Sequence, residues 1–495
     1  MAKVLLSFLG TGLPDKDKKG SATRDYKDAK YKIGDNLYDT SFVSTAIAHH
    51  HSIDKIILIG TAHSMWEEVY RFFYERNHSG DEKLENNEKA FSIYESIDAH
   101  CHHTNYNSPL TLPYKEEIEK EMGGGSKIIL INYGINEAQI KENSRLILKV
   151  EELIDPKDEL IVDITHSFRS IPIYVMNLLV YLQNVSTKKI RIPHIYYGMN
   201  EVRREMDDIS PVVDLKSMLE LQDWIIGAYS MKEFGNSYKI ADLLKNQTPE
   251  SSCDKAVATQ LETFSDYVNL NYMDSMMKVI QSLNGIHGKC ENEMAKLVVN
   301  PVIEDFLKKF KGKHFTDAAF LFRLSEWLFK NKKYAQSYLT ALEAIISYAI
   351  DLNGYVLREE RENNEIGNKN SIKFYYTKDK EIWDSFALRT AIPIVLQKNL
   401  WKNNKKITEE EYFQDNLVKL KASPKSIEEK FSLFYNLNDF LDDDDNLKRI
   451  YSTHNKHRNQ VAHLITARSD GSTYSSKEII KTLRETLEAL KKLIK

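Results

Sequence analysis

The segment DELIVDITHSFRSIPI, residues 158–173, decides the reading of the fold. It opens with an apolar run, Leu160 to Val162, and then turns polar at Asp163, Thr165, His166, Ser167 and Arg169. An unbroken apolar run suits a strand buried on both faces. Hydroxyls, an imidazole and a guanidinium directly after such a strand lie where open parallel sheets take their ligands, outside the carboxyl ends. The plainer reading is a strand end capped by Thr165 or Ser167, with Arg169 paired to Asp163.

Four similar runs surround it: KVLLSFLG (3–10), DKIILIGT (54–61), KIILINYG (127–134) and KIRIPHIYYG (189–198). Helical patterns fill 41–51, 63–77, 135–152 and 168–186. Strands that alternate with helices predict βαβ units, and so an α/β Rossmann-like domain with a mainly parallel sheet. The long connection from about 66 to 126 is expected to hold extra helices, with MGGGSK (122–127) as its turn into the third strand. Small or polar residues stand at the strand ends: Gly10, Thr11 and Gly12 after the first, Thr61 and Ser64 after the second, Tyr197 and Gly198 at the end of the fifth. Such residues let the backbone and a helix N-terminus approach phosphate. A dinucleotide fingerprint does not fit, because GTGLPD has Asp15 where a third glycine is required. GGGSK lacks the spacing of a phosphate loop and precedes a strand.

Past about residue 210 the strand signals stop and helical periodicity takes over. TLRETLEALKKLI (482–494) places Leu483, Leu487, Leu490 and Ile494 on one stripe, and Ser475 with Glu478 offers a capping box before it. The expected organisation is a domain over 1–210, a connecting helix or linker over 211–235, and an all-α helical domain over 236–495. The DDDD run (442–445) precedes a helical pattern, where carboxylates favour the positive end of the dipole.

The chain has 495 residues, more than one ordinary core holds. Its formal net charge of −4 excludes a general polyanion binder and leaves only local basic patches for nucleic acid. Three scattered cysteines, Cys101, Cys253 and Cys290, show no zinc spacing and suit a reducing compartment. MAKVLLSFLGTG (1–12) lacks the pattern of a signal peptide, and no run reaches the roughly 18 apolar residues of a membrane span, so a cytoplasmic protein is expected. HHH (49–51) ends a helical pattern, where imidazoles complement the dipole, and HCHH (100–103) has no second cluster. No metal site is expected at either.

DITHSFRSIPI resembles the D-x-T-H-G segment of CRISPR-associated proteins that carry a CARF domain, the Rossmann-like sensor of cyclic oligoadenylates. VLLSFLGTG at the start, YDTSFV (38–43), and YYGMNE with the later PVVDLKSMLELQDW are also similar to that family, and the resemblance covers residues 1 to about 232. Ser167 stands where the family usually has glycine, and serine restricts the turn. The resemblance implies an activator, cyclic tetra-adenylate or cyclic hexa-adenylate, and no cofactor. Its contacts would come from Gly10, Thr11, Gly12, Thr61, Ser64, Thr165, His166, Ser167, Arg169 and Gly198.

In YSTHNKHRNQVAHLI (451–465), RNQVAH looks like the R-x4-H motif of HEPN-domain ribonucleases, the usual C-terminal partner of a CARF domain. The residues suit metal-independent RNA cleavage. A 2′-hydroxyl attacking its own phosphate needs a base near neutrality, which His463 supplies. It also needs stabilisation of added negative charge, which Arg458 supplies, with Asn459 as the polar neighbour. Five residues along an ideal helix turn about 140° and rise about 7.5 Å, so one copy spreads the two groups apart. The resemblance implies a composite site in a homodimer or higher even oligomer, acting on single-stranded RNA and leaving a 2′,3′-cyclic phosphate. His454 and His457 are expected on an exposed polar face. Two other readings stand beside this one: a catalytically silent CARF sensor that docks a partner, and a DNA-directed CARF effector.

Overall fold

Strand β1 (Lys3–Phe8) shows how the first half is layered. Successive strand residues point to opposite faces. Leu5 joins one apolar core with Ile56, Leu58 and Ile161, whereas Val4, Leu6 and Phe8 join a second with Ile57, Ile59, Leu160 and Val162. Both faces are therefore covered, which is why these strands read as unbroken apolar runs. The computed structural model describes residues 2–494, excepting 12, 15–23, 26–27, 167–169, 273–274, 311–315, 363–370, 380, 442–443, 458–460 and 462–474. Two compact units result, Met1–Gln222 and Asp223–Lys495.

The first unit holds an eight-stranded sheet. After β1 come β2 (Ala29–Ile33), β3 (Asn36–Thr40), β4 (Lys55–Gly60), β5 (Lys127–Leu130), β6 (Glu159–Asp163), β7 (Ile195–Gly198) and β8 (Ile209–Asp214). Their order across the sheet is β3-β2-β8-β7-β6-β1-β4-β5. β1 pairs parallel with both β4 and β6, with Leu5 opposite Ile56 and Ile161. Among the described residues of this sheet, only the β7–β8 and β2–β3 pairs are antiparallel. Helices α1 (Val43–His51), α2 (Trp66–Asn77), α3 (Glu88–His103) and α4 (Lys115–Met122) cover the first core. Helices α5 (Glu137–Leu148) and α6 (Ile171–Asn184) cover the second. The expected mainly parallel Rossmann-like sheet is observed, with the extra helices between 66 and 126. The hairpin β2–β3 was not legible as an apolar run. β2 alternates, burying Ala29, Tyr31 and Ile33 and exposing Lys30 and Lys32, as a strand with one wet face does.

The second unit has two hydrophobic cores. Helix α7 (Lys216–Phe234) enters it, and α8 (Tyr238–Gln247), α9 (Ser252–Leu270), α10 (Met276–Ile286) and α11 (Asn300–Lys308) build the first around Trp224, Phe264 and Phe306. Helix α12 (Asp317–Lys330) serves both, giving Leu324 and Trp327 to this core and Phe322 to the next. The second core gathers α13 (Tyr334–Leu352), α14 (Ser385–Leu396), α15 (Glu409–Asn416), α16 (Ile427–Leu441), α17 (Asp445–Asn455) and α18 (Ser476–Leu493). The region is helical, as expected, and Ser475 with Glu478 caps α18 in both directions. Asp444, from the DDDD run, caps α17 by accepting from the Leu447 amide at 2.9 Å.

The expectation that strands stop after residue 210 needs correction. β8 lies at 209–214, and β9 (Val356–Glu362), β10 (Ser371–Lys378) and β11 (Glu381–Asp384) form an antiparallel sheet. Tyr376 and Trp383 are cross-strand partners, 2% and 5% exposed, while Ile382 is exposed. That aromatic pair anchors a short sheet on the helical core. Surrounding helical periodicity hid this period of two.

Gly123, Gly124 and Gly125 turn the chain into β5 with φ of 71°, 60° and 74°. A Cβ on Gly124 would sit 2.0 Å from the Asp54 carbonyl oxygen, whereas one on Gly123 meets nothing within 4 Å. Gly124→Ala is expected to lower unfolding free energy by about 3 kcal/mol, and Gly123→Ala by only about 1 kcal/mol from the positive φ. Urea melts of the two variants check this. Equal losses would show that the Asp54 approach does not matter.

Candidate functional site

The strand order reverses direction at β1. The chain moves from β1 outward to β4 and β5, then returns to place β6 on the other side of β1. A crevice opens at such a switch point, outside the carboxyl ends of the two strands. The loops that leave β1 and β6 meet there: a Cβ on Gly10 would lie 3.7 Å from His166 Cβ.

Asp163, at the end of β6, is fully buried. The Ser7 hydroxyl of β1 donates to its Oδ2 at 2.5 Å, and Thr165 donates to its Oδ1 from the backbone at 2.9 Å and from the hydroxyl at 2.6 Å. Thr165 Oγ1 in turn accepts the Gly198 amide at 2.8 Å, which joins the turn to β7. A Cβ on Gly198 would press on Thr165 at 3.1 Å and 3.2 Å, so glycine is needed for that close approach. The described partners of Asp163 are thus Ser7 and Thr165. Arg169, the cation set against Asp163 in the plainer reading, lies outside the described residues, as do Gly12 and Ser167.

Thr61 and Ser64 are 2% and 1% exposed. Ser64 Oγ accepts the Thr61 amide at 2.9 Å and donates to the Leu9 carbonyl at 2.9 Å, and Trp66 Nε1 donates to the Thr61 carbonyl at 2.8 Å. These groups hold the turn after β4 against the loop after β1, where Met65 also donates to the Gly10 carbonyl at 3.2 Å. Gly10, Thr11, Thr165 and His166 stay partly exposed around the crevice. Burial pushes the His166 imidazole below the ordinary histidine range, against the pull of the Asp163 carboxyl. It is therefore neutral at neutral pH and can offer one donor and one acceptor.

The same edge carries groups that sequence reading passed over. The helical turn Asn200–Glu205, directly after β7, brings Glu201, Arg203 and Arg204. Tyr197 donates its hydroxyl to Glu201, and Arg203 pairs with Asp208 at 2.7 Å, while Arg204 is exposed. The available signal was two adjacent arginines at a strand end.

In the second unit, Arg458, Asn459 and His463 lie outside the described residues. The approach to them is described and corrects one expectation: His454 and His457 are 0% and 6% exposed, not on a polar face. His454 continues the buried stripe of α17 through Leu447, Ile450 and Tyr451, at helical spacing. Its ring stacks on Tyr338 of α13 at 3.8 Å between centroids. Its Nε2 contacts the Tyr338 carbonyl at 2.9 Å and its Nδ1 the Thr486 hydroxyl of α18 at 3.2 Å, while the Tyr338 hydroxyl donates to the His454 carbonyl. His457 Nε2 lies 3.3 Å from the Thr482 hydroxyl, and Val461 packs on the same core. Three helices are therefore clamped just before the R-x4-H segment.

Similarity to known proteins divides along the same line. Residues 4–201 match the CARF domain of the CRISPR system endoribonuclease Csx1, and residues 220–314 match the second domain of CRISPR-associated protein MJ1674. Over 375 residues the chain is 32% identical to the CRISPR-associated protein MJ1674 of Methanocaldococcus jannaschii, covering 74% of this chain and 56% of that relative. The chain thus spans little more than half the length of that relative. Enterococcus italicus Csm6 bound to cyclic hexa-2'-fluoro-hexa-dAMP aligns with 100% of this chain and 93% of its own, at 12% identity and a TM-score of 0.35. Among the described residues no helix is long and apolar enough to cross a membrane.

The buried His454 generates a pH dependence. Desolvation drives its imidazole down to about 4, despite the Tyr338 carbonyl, which favours the proton. The unfolded chain then binds the proton first as pH falls, so stability is full above the ordinary histidine value and declines below it. From about pH 7.5 to about pH 5 this residue alone is expected to remove about 2 kcal/mol of unfolding free energy. Urea melts at both pH values, on the wild type and on His454→Gln, check it. A variant with the same pH slope would assign the loss to other groups.

Proposed function

We propose that residues 4–201, which match a CARF-domain family model, act as a CARF sensor and that the chain is a cyclic-oligoadenylate-activated, metal-independent endoribonuclease in antiviral defence. The observation that carries the ligand half is the meeting of the loops that leave β1 and β6 at the switch point, where Gly10 lies against His166. Small residues there let a phosphodiester approach backbone amides. Thr165 and Gly198 set the floor, and Thr61 and Ser64 hold the neighbouring turn. His166 contributes hydrogen bonds while neutral, and a bound phosphate favours its protonated form. Arg169 and exposed Arg204 supply the fixed cations that match phosphate geometry. The activator is cyclic tetra-adenylate or cyclic hexa-adenylate, and a ring of that symmetry suits the two-fold axis of a homodimer.

The catalytic half rests on Arg458, Asn459 and His463, which directly succeed the helix anchored by His454. His463 acts as the base toward the 2′-hydroxyl and Arg458 stabilises the charge that builds on phosphorus. The substrate is single-stranded RNA, the product end a 2′,3′-cyclic phosphate, and the compartment the cytoplasm. A silent sensor would bind the activator without cleaving RNA, so one RNase assay on the purified chain separates the two readings.

Two outcomes are expected. His463→Ala and Arg458→Ala each lower RNA cleavage by about two to four orders of magnitude with activator binding intact. At saturating activator the wild type keeps its rate in excess EDTA and leaves an all-deoxy strand uncut. Near-normal turnover in His463→Ala, or DNA cleavage, would overturn the ribonuclease reading.

In the sensing half, His166→Ala and Arg169→Ala are each expected to raise the half-activating concentration about tenfold or more, roughly 1.4 kcal/mol, without lowering the maximal rate. Dose–response curves and melting temperatures on the same preparations decide. A fall in melting temperature with unchanged dose–response would make either residue purely structural.

A further inference from the structure

Helices α2 and α3 bring three metal-ligating side chains together in the first unit. Glu67 lies in the first turn of α2 and is 2% exposed. Asp98 and His102 stand one turn apart on α3, so they share a helix face. His102 belongs to HCHH (100–103), where the local sequence pattern alone gives no reason to expect a metal, because its neighbours in the fold come from α2 and from the preceding turn of α3. His102 Nε2 is 3.1 Å from Asp98 Oδ1, and ligand atoms of all three residues lie within 4.8 Å of one another. Ligands around a tetrahedral ion with bonds of about 2.1 Å are about 3.4 Å apart, so small side-chain shifts bring the three onto one centre.

The surroundings favour a cation. The Tyr94 phenol is pushed upward by burial and then by the nearby carboxylates Glu68, Asp98 and Glu67. The guanidinium of Arg71, on the same helix, is held by Glu68, with Nε to Oε2 at 2.9 Å. A nearly inaccessible carboxylate beside a second one is costly, and a divalent ion offsets that cost better than one imidazolium. Two oxygen donors and one imidazole suit Zn²⁺ or Mn²⁺ over Ca²⁺, which takes six or more oxygens.

We propose that Glu67, Asp98 and His102 form a binding site for a transition-series divalent cation. Its role is to pin α3 onto α2. His63 Nδ1 already bonds the Cys101 carbonyl of α3 at 2.6 Å, so the ion lies behind the turn that carries Thr61 and Ser64. The site stands apart from RNA cleavage and does not depend on the ribonuclease reading.

The test is calorimetric titration of the metal-stripped full-length protein with Zn²⁺ alone and with Mn²⁺ alone, together with thermal melts. One saturable equivalent per chain for at least one ion, with a rise in melting temperature, is expected. His102→Ala and Glu67→Gln should each weaken that equivalent about tenfold or more. The isosteric Glu67→Gln variant keeps its fold and guards against loss by misfolding, which circular dichroism verifies. No saturable binding by the wild type would overturn the proposal. So would binding unchanged in both variants, since the ion would then sit elsewhere, such as at the histidines of α1.

Discussion

The buried Asp163 carboxyl is the interaction on which the crevice depends. A carboxyl with no access to water must be satisfied locally, and the penalty for leaving it unsatisfied runs to several kcal/mol. Ser7 from β1 and two donors from Thr165 satisfy it. That requirement fixes the turn after β6 relative to β1, and the Thr165 hydroxyl then passes the constraint to the Gly198 amide of β7. Three neighbouring strands thus share one hydrogen-bonded knot at their carboxyl ends. The loops above it, with Gly10 and His166, take their places from it.

A comparable logic operates in the second unit with an imidazole in place of the carboxyl. His454 accepts burial because Tyr338 and Thr486 meet its two ring nitrogens and Tyr338 stacks on its face. The neutral ring costs far less to bury than a charged one, and the depressed proton affinity records that. The clamp fixes the end of α17 against α13 and α18. A fixed approach of this kind suits the catalytic role proposed for the segment that follows, because rate falls steeply when reacting groups are displaced by about 1 Å.

Legibility in the sequence tracked burial. The five strands enclosed on both faces were visible as apolar runs, and the polar residues after them marked the carboxyl edge. β2 was missed because one face is wet, so its apolar residues alternate with Lys30 and Lys32. The sheet of Tyr376 and Trp383 was missed because two buried aromatics are a weak signal inside helical sequence. His454 could have been placed correctly, since it extends the spacing of Leu447, Ile450 and Tyr451. In sequence Thr61 and Ser64 read as groups facing a ligand; in the fold the Ser64 hydroxyl bonds the Leu9 carbonyl and Thr61 Oγ1 lies 3.3 Å from that hydroxyl. Hydroxyls at a strand end serve either purpose, and composition does not separate the two.

The sequence by itself determined the α/β sheet of the first unit, the helical character of the second, the capping of α18 and the location of the candidate segments. Those features depend on local periodicity and on residue chemistry at fixed spacing. Tertiary structure alone decided which side of β1 receives β6, and hence where the crevice opens. It also decided that Asp163 is held by Ser7, that His454 is buried, and that Glu67 meets Asp98 and His102. Each of these joins residues far apart in the chain, and such pairings are selected by packing and by the satisfaction of buried polar groups, neither of which leaves a local pattern.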